Sequence, residues 1–456
     1  MMTQQFRDQG GAASSDPSWL RRKITSLMMR RLADPLRRER ARAVAESARL
    51  RSGEPHRVLY FHQPEDPYSH LAVQLLQPLC ERYDIVLETR LCSAEPGANT
   101  PEPELLESYA RRDCVQVAPH YGLVFPAAAV ALDSALLAAA RGILAAQPPA
   151  ALHAAAPLIG AALWSADTAA MHALQQRFGV ADQTRVASAL EAGNAERRRL
   201  GHYAGAMFHY GGEWYWGVDR LYHLERRLVA LGASREPQAP LLAARPAIEL
   251  PREPDKGSLR LEFYASLRSP YTAVIYDRVI ALARDSGVVL DLRPVLPMVM
   301  RGVPVTVQKG RYIFFDAARE AEELGLPPGR PRDPIGEPVR RLYSLLPWAM
   351  TLGRGAALLG AALQAAFRQG LDLGSDGGLR QVVESVGLSW SQARLQLGNR
   401  SYEQDFEHNR KALYEAGIWG VPAFRLLDAQ GREILSAWGQ DRLWLVAREI
   451  VRCRGL

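Results

Sequence analysis

Short apolar runs and amphipathic stretches follow one another in the same order twice along this chain. In the first half, a stretch with helical spacing of apolar positions separates the apolar residues 58–61 from the mainly apolar residues 85–89. Residues 261–264 and 288–292 repeat the arrangement in the second half. Apolar runs of this length between turn residues are typical of buried strands. Each half is therefore predicted to begin with a strand, a helix and a second strand.

Later parts of the two halves also correspond. Three further pairs match in order: Tyr109 and Asp113 with Tyr312 and Asp316, residues 201–208 with 417–424, and residues 216–221 with 438–443. Four matched blocks in one order indicate two copies of one domain. The alanine-rich middles, residues 127–200 and 338–416, are helical by propensity. The pattern predicts an α/β fold with two tandem domains, each a small sheet with a helical insertion.

A polar stretch that contains five prolines separates the two halves, and it is predicted to be a linker. The predicted organisation is a basic, partly helical arm at residues 1–56, a first domain at 57–234, the linker at 235–257 and a second domain at 258–456.

The basic arm holds much of the net charge of +7. Five of its apolar residues lie about one helical turn apart, namely Leu20, Ile24, Leu27, Met28 and Leu32. They predict a basic amphipathic helix that is broken near Pro35. Such a helix could lie on an anionic membrane surface or contact nucleic acid. Alternatively, it packs its apolar stripe on the protein. The remaining chain is nearly balanced in charge, so we expect no nucleic-acid partner, and a weak membrane-surface contact stays open.

Composition agrees with a folded protein of two or three domains, since 48% of the 456 residues are hydrophobic and 23% are charged. Residues 1–16 lack the apolar core of a signal peptide. The four cysteines, Cys80, Cys92, Cys114 and Cys453, form no C-x-x-C pair and no metal-ligand cluster. A cytoplasmic location without structural disulfides or metal is therefore expected.

Three short motifs of the second half carry candidate chemistry. Ser269 and Pro270 follow the first strand, where they suit the start of a helix and where a hydroxyl could stabilise a thiolate. Val421 and Pro422 precede a strand; a cis peptide there would expose the backbone of Val421, but the sequence leaves the isomer open. Asp441 stands near a helix start, where it could pair with an ammonium group of a ligand. Each motif alone is better explained as a structural cap or strand entry.

Taken together, the motifs resemble the family of glutathione-dependent 2-hydroxychromene-2-carboxylate isomerases and kappa-class glutathione transferases, which is related to DsbA-type oxidoreductases. The resemblance covers nearly all of residues 259–456. It rests on residues 263–271, 293–296, 309–312, 325–327, 420–422 and 438–443, and on Asp316 with Arg319. It implies a thioredoxin-like fold with glutathione as cofactor.

The resemblance also implies roles for individual residues. Ser269 would be catalytic and lie beside the glutathione thiol, and Val421, which precedes Pro422, would pair with the cysteinyl backbone. Gln440 and Asp441 would hold the γ-glutamyl end, and Lys309 the glycine carboxylate. The implied reaction is reversible thiol addition to a small hydrophobic or aromatic acid, for which Tyr343, Trp348, Met350 and Phe367 are available as contacts.

Two features depart from the family pattern. The loop at residues 296–308 is short and lacks one expected glutathione contact. Arg268 is a large cation directly before Ser269, and it could assist a thiolate, accept an acidic substrate or point into solvent.

In the first half, Asp66 and Ala206 stand where Ser269 and Pro422 stand in the second. A carboxylate would repel a neighbouring thiolate, and the Gly205–Ala206 peptide should be trans. The first copy is therefore predicted to be degenerate and non-catalytic. Because members of the family pair as dimers, the copies could form an intrachain pseudo-dimer, or the chain a homodimer.

Two other functions remain open from the sequence. The first is a non-catalytic binding or scaffold protein on a degenerate fold. The second is thiol–disulfide exchange, which requires two cysteines where Ser269 and Thr272 stand.

Overall fold

The computed structural model describes residues 17–95, 97–127 and 131–454. They form two compact units. The first unit consists of residues 38–95, 97–100, 106–127 and 131–246, and the second of residues 17–37, 101–105 and 247–454. Residues 17–37, the first part of the predicted arm, thus belong to the second unit. Residues 235–257, the predicted linker, contain neither helix nor strand.

The helices and strands are numbered in chain order. Up to residue 230 they are α1 (Trp19–Ala33), α2 (Pro35–Ser52), β1 (His56–His62), α3 (Pro67–Val73), α4 (Leu76–Arg82), β2 (Ile85–Leu91), α5 (Pro103–Val117), α6 (Ser134–Ala146), α7 (Leu152–Trp164), α8 (Thr168–Phe178), α9 (Gln183–Arg199), β3 (Met207–Tyr210), β4 (Glu213–Trp216) and α10 (Gly217–Ala230). From residue 260 they are β5 (Arg260–Ala265), α11 (Pro270–Ser286), β6 (Val289–Pro294), α12 (Val307–Glu323), α13 (Glu337–Thr351), α14 (Gly355–Gln364), α15 (Asp376–Ser385), α16 (Trp390–Arg394), α17 (Tyr402–Glu415), β7 (Ala423–Leu427), β8 (Glu433–Trp438) and α18 (Leu443–Cys453). Single 3₁₀ turns lie at Ala118–Tyr121, Met298–Arg301 and Gln440–Arg442, and a π-helical turn at Ala365–Gln369.

Each unit contains a four-stranded sheet, and the two sheets have the same strand order and directions. In the first, the order is β2-β1-β3-β4, with β1 parallel to β2 and antiparallel to β3. In the second, it is β6-β5-β7-β8, with β5 parallel to β6 and antiparallel to β7. The predicted α/β class is confirmed, as is a second sheet in the N-terminal region. That the units are two copies of one domain stays a prediction.

The register of the second sheet brings two distant segments together. Tyr264 near the end of β5 lies opposite Ala423 at the start of β7. Phe263 and Phe424 stack with ring centroids 5.5 Å apart, and both are fully buried. Because β5 runs into α11 and residues 419–422 run into β7, the helix start and the strand entry meet where β5 ends and β7 begins. This end of the sheet is here called the sheet edge.

Helices α13 to α17 form the helical insertion of the second unit. Tyr343 on α13 is fully buried, and its ring meets that of Phe406 edge-on at 4.7 Å. Its hydroxyl accepts a hydrogen bond from Leu267 N at 2.8 Å and donates one to Val295 O at 3.2 Å. Tyr343 is thus a core residue rather than a substrate contact, because all of its surface is used in fixing the insertion to the sheet.

Helix α1 packs on the second unit, but not through its apolar stripe. The face that contains Ser26 and Met29 is buried, whereas Leu20, Ile24, Leu27 and Met28 are 41–61% exposed. The alternative in which the stripe packs on the protein is therefore wrong for these four residues. Within the described part of the chain, no helix has both the length and the apolar character needed to cross a membrane.

Candidate functional site

Ser269 caps the start of α11. Its Oγ accepts a hydrogen bond from Thr272 N at 3.1 Å, and Pro270 follows at the first helical position. This local pattern is the one that serine and proline favour at a helix start, where free N–H groups make the environment positive. The same hydroxyl donates a hydrogen bond to Val421 O at 3.2 Å. Ser269 is thus fixed between the helix start and the strand entry.

The Val421–Pro422 peptide is cis. Pro422 O accepts a hydrogen bond from Gly439 N at 2.9 Å, which ties the strand entry to the turn after β8. Val421 N has no hydrogen-bond partner among the described residues. Ser269, Val421 and Pro422 therefore lie together at the sheet edge, with one backbone N–H left for a ligand.

The turn after β8 brings Gln440 and Asp441 to the same edge. The Asp441 carboxylate lies over Gly439, where a β-carbon would collide with its Oδ1. Gly439 has φ +117°, a conformation that favours glycine, so the turn depends on this residue. Gln440 is buried, and its Nε2 donates a hydrogen bond to Glu320 Oε2 at 2.7 Å. Asp441 thus lies in the turn that Gly439 ties to Pro422, while the Gln440 amide nitrogen is bonded to a buried acid.

Lys309 lies in the first turn of α12, and its backbone N donates to the capping Thr306 Oγ1 at 3.1 Å. Its Nζ lies 5.5 Å from the ring centroid of Trp419. Burial lowers the pKa of the Lys309 amine to about 8, because desolvation disfavours its charged form. Trp419 comes two residues before Val421, so Lys309 is close to the strand entry as well.

Arg268 has a different role from those the sequence left open. Its Nε and Nη2 form a two-point ion pair with the buried carboxylate of Asp333, at 2.8 and 3.0 Å. The guanidinium therefore holds the loop before α13 and is not available to assist a thiolate.

Sequence reasoning missed the residues that support this site from a distance. Glu320 and Asp333 are buried acids that hold Gln440 and Arg268. Trp438 packs edge-on against Trp419 at 5.0 Å, and Gly420 fits only because it has no side chain beside the Trp438 indole. Gly420 directly before Val421 was the one local signal of this close packing.

An apolar cavity of about 90 Å³ adjoins the start of α11. Its walls include Pro270, Val274, Phe314 and Phe367, and Ala33 at the end of α1. Phe314 and Phe367 face each other with centroids 6.2 Å apart. The cavity has room for several water molecules and is lined mainly by carbon, so it suits an apolar group.

The corresponding edge of the first unit is built differently. Asp66 caps α3 and accepts hydrogen bonds from Tyr68 N at 3.2 Å and from Ser69 Oγ at 3.0 Å. Burial raises the pKa of its carboxyl to about 6. Ala206 N donates to Ser69 Oγ at 2.8 Å, so this hydroxyl joins the helix start to the strand entry.

The strand entry of the first unit is also covered. The Gly205–Ala206 peptide is trans, as expected, and the Gln63 side chain lies against Gly205. Gly217 N donates to Ala206 O at 2.7 Å, as Gly439 N does to Pro422 O in the second unit. The framework is shared, but the first unit has an acid and a covering side chain where the second has a hydroxyl and an accessible edge.

Neither unit offers a metal centre in its described residues, since no three His, Cys, Asp or Glu side chains are grouped to hold an ion. All four cysteines lie within the described ranges, and none of them forms a disulfide.

Comparison with known proteins identifies the type of domain in the second unit. The family model of the DSBA-like thioredoxin domain matches residues 260–451. No protein of curated function matches the chain in sequence. Similar solved structures include a 2-hydroxychromene-2-carboxylate isomerase, at 21% identity over 43% of this chain and 96% of that one, with a TM-score of 0.37.

Two oxidoreductases are similar to a comparable degree. A probable DsbA oxidoreductase from Streptomyces coelicolor is 20% identical over 43% of this chain and 90% of that one, with a TM-score of 0.34. The cytosolic disulfide reductase DsbM from Pseudomonas aeruginosa is 18% identical over 42% and 99%, also with a TM-score of 0.34. Residues 260–451 thus form a DsbA-like thioredoxin domain with serine at its helix start.

Proposed function

We propose that the second unit is a glutathione-dependent isomerase or transferase that acts on a small hydrophobic or aromatic acid. The observation that carries the proposal is the position of the Ser269 hydroxyl. It lies at the start of α11 and 3.2 Å from Val421 O, beside a Val421 N–H without a partner among the described residues. A helix start and a hydroxyl donor both favour a thiolate over a thiol.

In the proposed reaction, the thiolate of glutathione adds to an electron-poor double bond of the substrate. The new C–S bond turns the double bond into a single bond, about which the substrate rotates, and the electron pair moves to the conjugated acceptor. Reversal of the addition breaks the C–S bond, restores the double bond and releases the isomer and the thiolate. Ser269 would rotate its hydroxyl from Val421 O to the sulfur and would not itself become covalently attached.

Charged groups at both ends of the edge would orient the cofactor. Val421 would pair with the cysteinyl backbone in the manner of an added strand. Asp441 would hold the γ-glutamyl ammonium, and protonated Lys309 the glycine carboxylate. Because its pKa is near 8, Lys309 is mostly charged at neutral pH.

The apolar cavity beside Pro270 would take the hydrophobic part of the substrate. Of the aromatic residues considered from the sequence, Phe367 lies in its wall. An apolar group in the cavity would bury its surface against the side chains of Phe314 and Phe367.

We propose that the first unit is a degenerate copy of the same domain without catalysis. Its Asp66 carboxylate would raise the pKa of a neighbouring thiol, and Gln63 covers the strand entry. Four cysteines without a disulfide and the use of glutathione fit a reducing compartment such as the cytoplasm.

The burial of Gln440 favours a second candidate, a non-catalytic binding protein. Its amide nitrogen donates to Glu320 and is not directed to the edge where the γ-glutamyl group would lie. Dithiol–disulfide exchange has less support, since Cys453 is the one cysteine of the second half and lies in the last helix.

Isothermal titration calorimetry of the intact chain with glutathione separates these candidates. We expect millimolar or tighter binding that is lost in Asp441→Ala. Asp219→Ala, the corresponding change in the first unit, is the matched control and should leave the affinity unchanged. Absence of binding by the unaltered protein, or equal loss in both variants, would rule out the proposed site.

A further inference from the structure

Arg301, in the 3₁₀ turn after β6, is a buried cation with few partners. It is 3% exposed. Its Nε donates to Leu296 O at 3.2 Å and its Nη2 to Trp419 O at 3.4 Å, while its Nη1 has no hydrogen-bond partner. Among the described residues, no carboxylate oxygen lies within 4.0 Å of its guanidinium.

Such a charge is unfavourable without an anion nearby. Removing a guanidinium from water costs free energy that two backbone carbonyl groups only partly restore. Burial lowers the pKa of Arg301, and the positive charge of Arg410 acts in the same direction. Tyr414, through its hydrogen-bonding contact with the guanidinium, and the negative charge of Glu407 oppose this effect.

Arg301 lines a cavity of about 500 Å³ between α13, α17 and the turn at residues 398–400. Five arginines and three glutamates lie in its walls. The arginines are Arg301, Arg340, Arg341, Arg400 and Arg410.

The three glutamates are already matched. Glu337 pairs with Arg340 at 3.2 Å, Glu403 with Arg400 at 2.7 Å, and Glu407 with Arg410 at 2.6 Å. The two other arginines of the cavity, Arg301 and Arg341, therefore have no glutamate partner in its walls.

Arg341 is the second of these. Its Nη2 pairs with the exposed Asp376, outside the cavity walls, but its Nε is buried without a hydrogen-bond partner. Two guanidinium groups from different elements, Arg301 after β6 and Arg341 on α13, therefore border one cavity, and each has a donor to spare.

We propose that this cavity binds a small oxyanion, a phosphate or carboxylate group, with Arg301 and Arg341 as its principal contacts. Planar guanidinium groups suit both oxyanions, because each can donate two parallel hydrogen bonds. The site is distinct from the edge formed by Ser269 and Val421, and it does not depend on glutathione binding there. It is linked to that edge through the Arg301 hydrogen bond to Trp419 O.

Calorimetry of the full chain at constant ionic strength tests the proposal, with inorganic phosphate and citrate as the two probes. We expect at least one probe to bind, and Arg301→Met and Arg341→Met each to weaken its binding tenfold or more. Arg394→Met, at an exposed arginine of α16, is the control and should bind as the unaltered protein does. Binding of phosphate alone or of citrate alone supports the site and identifies its ligand class.

Several results would overturn the site. One is no binding of either probe, and another is unchanged binding in the arginine variants. A third is loss of binding in Lys309→Met, which would move the anion to the glutathione edge. Should Arg301→Met fail to fold, Arg341→Met decides, because Arg341 is partly exposed and its loss leaves the core intact.

Discussion

The Tyr271 hydroxyl donates a hydrogen bond to Asp316 Oδ2 at 2.7 Å, tying the first turn of α11 to α12. Asp316 is fully buried and also pairs with Arg319 at 2.8 Å. In the first unit, Tyr68 donates to Asp113 at 2.8 Å, and both pairs span 45 residues. The bond fixes the helix start that carries Ser269 in one unit and Asp66 in the other.

Removing the hydrogen bond between tyrosine and aspartate should have different effects in the two units. Tyr271→Phe leaves a buried carboxylate one donor short, which should cost about 2 kcal/mol of stability. Tyr68→Phe should cost a similar amount. Only Tyr271→Phe should also weaken the binding of S-methylglutathione, measured by calorimetry alongside thermal unfolding. Equal affinities in the two variants would show that the bond does not position a binding site.

Ser269→Ala should raise the pKa of the thiol of bound glutathione. Loss of a hydrogen bond to a thiolate corresponds to about one to two pH units. The ultraviolet absorbance of the thiolate, followed against pH, measures the change. Ser269→Thr keeps the hydroxyl and the helix cap and is the matched control. If alanine and threonine give the same titration curve, the hydroxyl does not contact the sulfur.

Lys309 should make ligand affinity depend on pH. Its amine is charged below its pKa of about 8, so it binds a carboxylate at pH 7 and is mostly neutral at pH 9. Binding of S-methylglutathione, which has no free thiol, should weaken about tenfold more over this range than in Lys309→Arg, which stays charged. Titration calorimetry at both pH values checks this. The same pH dependence in both proteins would exclude Lys309 as the carboxylate contact.

Asp66 should make the first unit less stable as the pH rises. Its carboxyl has a pKa near 6 when folded and near 4 when unfolded, so the folded state holds the proton more tightly between these values. Raising the pH from 4.5 to 7 should therefore destabilise the unaltered protein relative to Asp66→Asn by at most about 3 kcal/mol.

Thermal unfolding at both pH values measures this difference. Asp133→Asn, a change at the exposed cap residue of α6, supplies the comparison for the loss of a capping carboxylate. An offset between Asp66→Asn and the unaltered protein that does not change with pH would contradict a raised pKa in the folded state.

The exposed stripe of α1 should bind anionic membrane surfaces. The helix contains five basic and no acidic residues, and an exposed apolar stripe with such neighbours favours the interface of anionic lipid. The full chain should sediment with vesicles that contain phosphatidylserine, and less so at high salt. Leu20→Ser with Leu27→Ser should reduce this binding, while Val307→Ser with Leu395→Ser, at exposed positions elsewhere, should not. No sedimentation with these vesicles would exclude the contact.

The parts of the structure that depend on neighbouring residues could be predicted from the sequence. The Ser269 cap bonds to an amide three residues away, and β5 is a mainly apolar run between polar turns. The order of strands and helices in each unit follows from such local signals. The cis or trans state of Val421–Pro422 does not, because both isomers are compatible with the same residues.

Pairs that are far apart in sequence could not be predicted in this way. Arg268 meets Asp333 across 65 positions, and Gln440 meets Glu320 across 120. A charged or amide side chain can find its partner on any element that folds beside it, so spacing gives no signal. The prediction that the apolar stripe of α1 could pack on the protein was wrong for a related reason. The face that packs is the one with Ser26 and Met29.

Helix α1 also determines which recombinant fragments are informative. Ser26 Oγ accepts a hydrogen bond from Asp333 N at 3.1 Å, and the Asp333 carboxylate holds Arg268 beside Ser269. A fragment cut at residue 258, the predicted start of the second domain, would lose this support and uncover the surface beneath Met29. Expression and crystallisation trials on the C-terminal half should therefore supply α1 in trans or fuse it to the fragment.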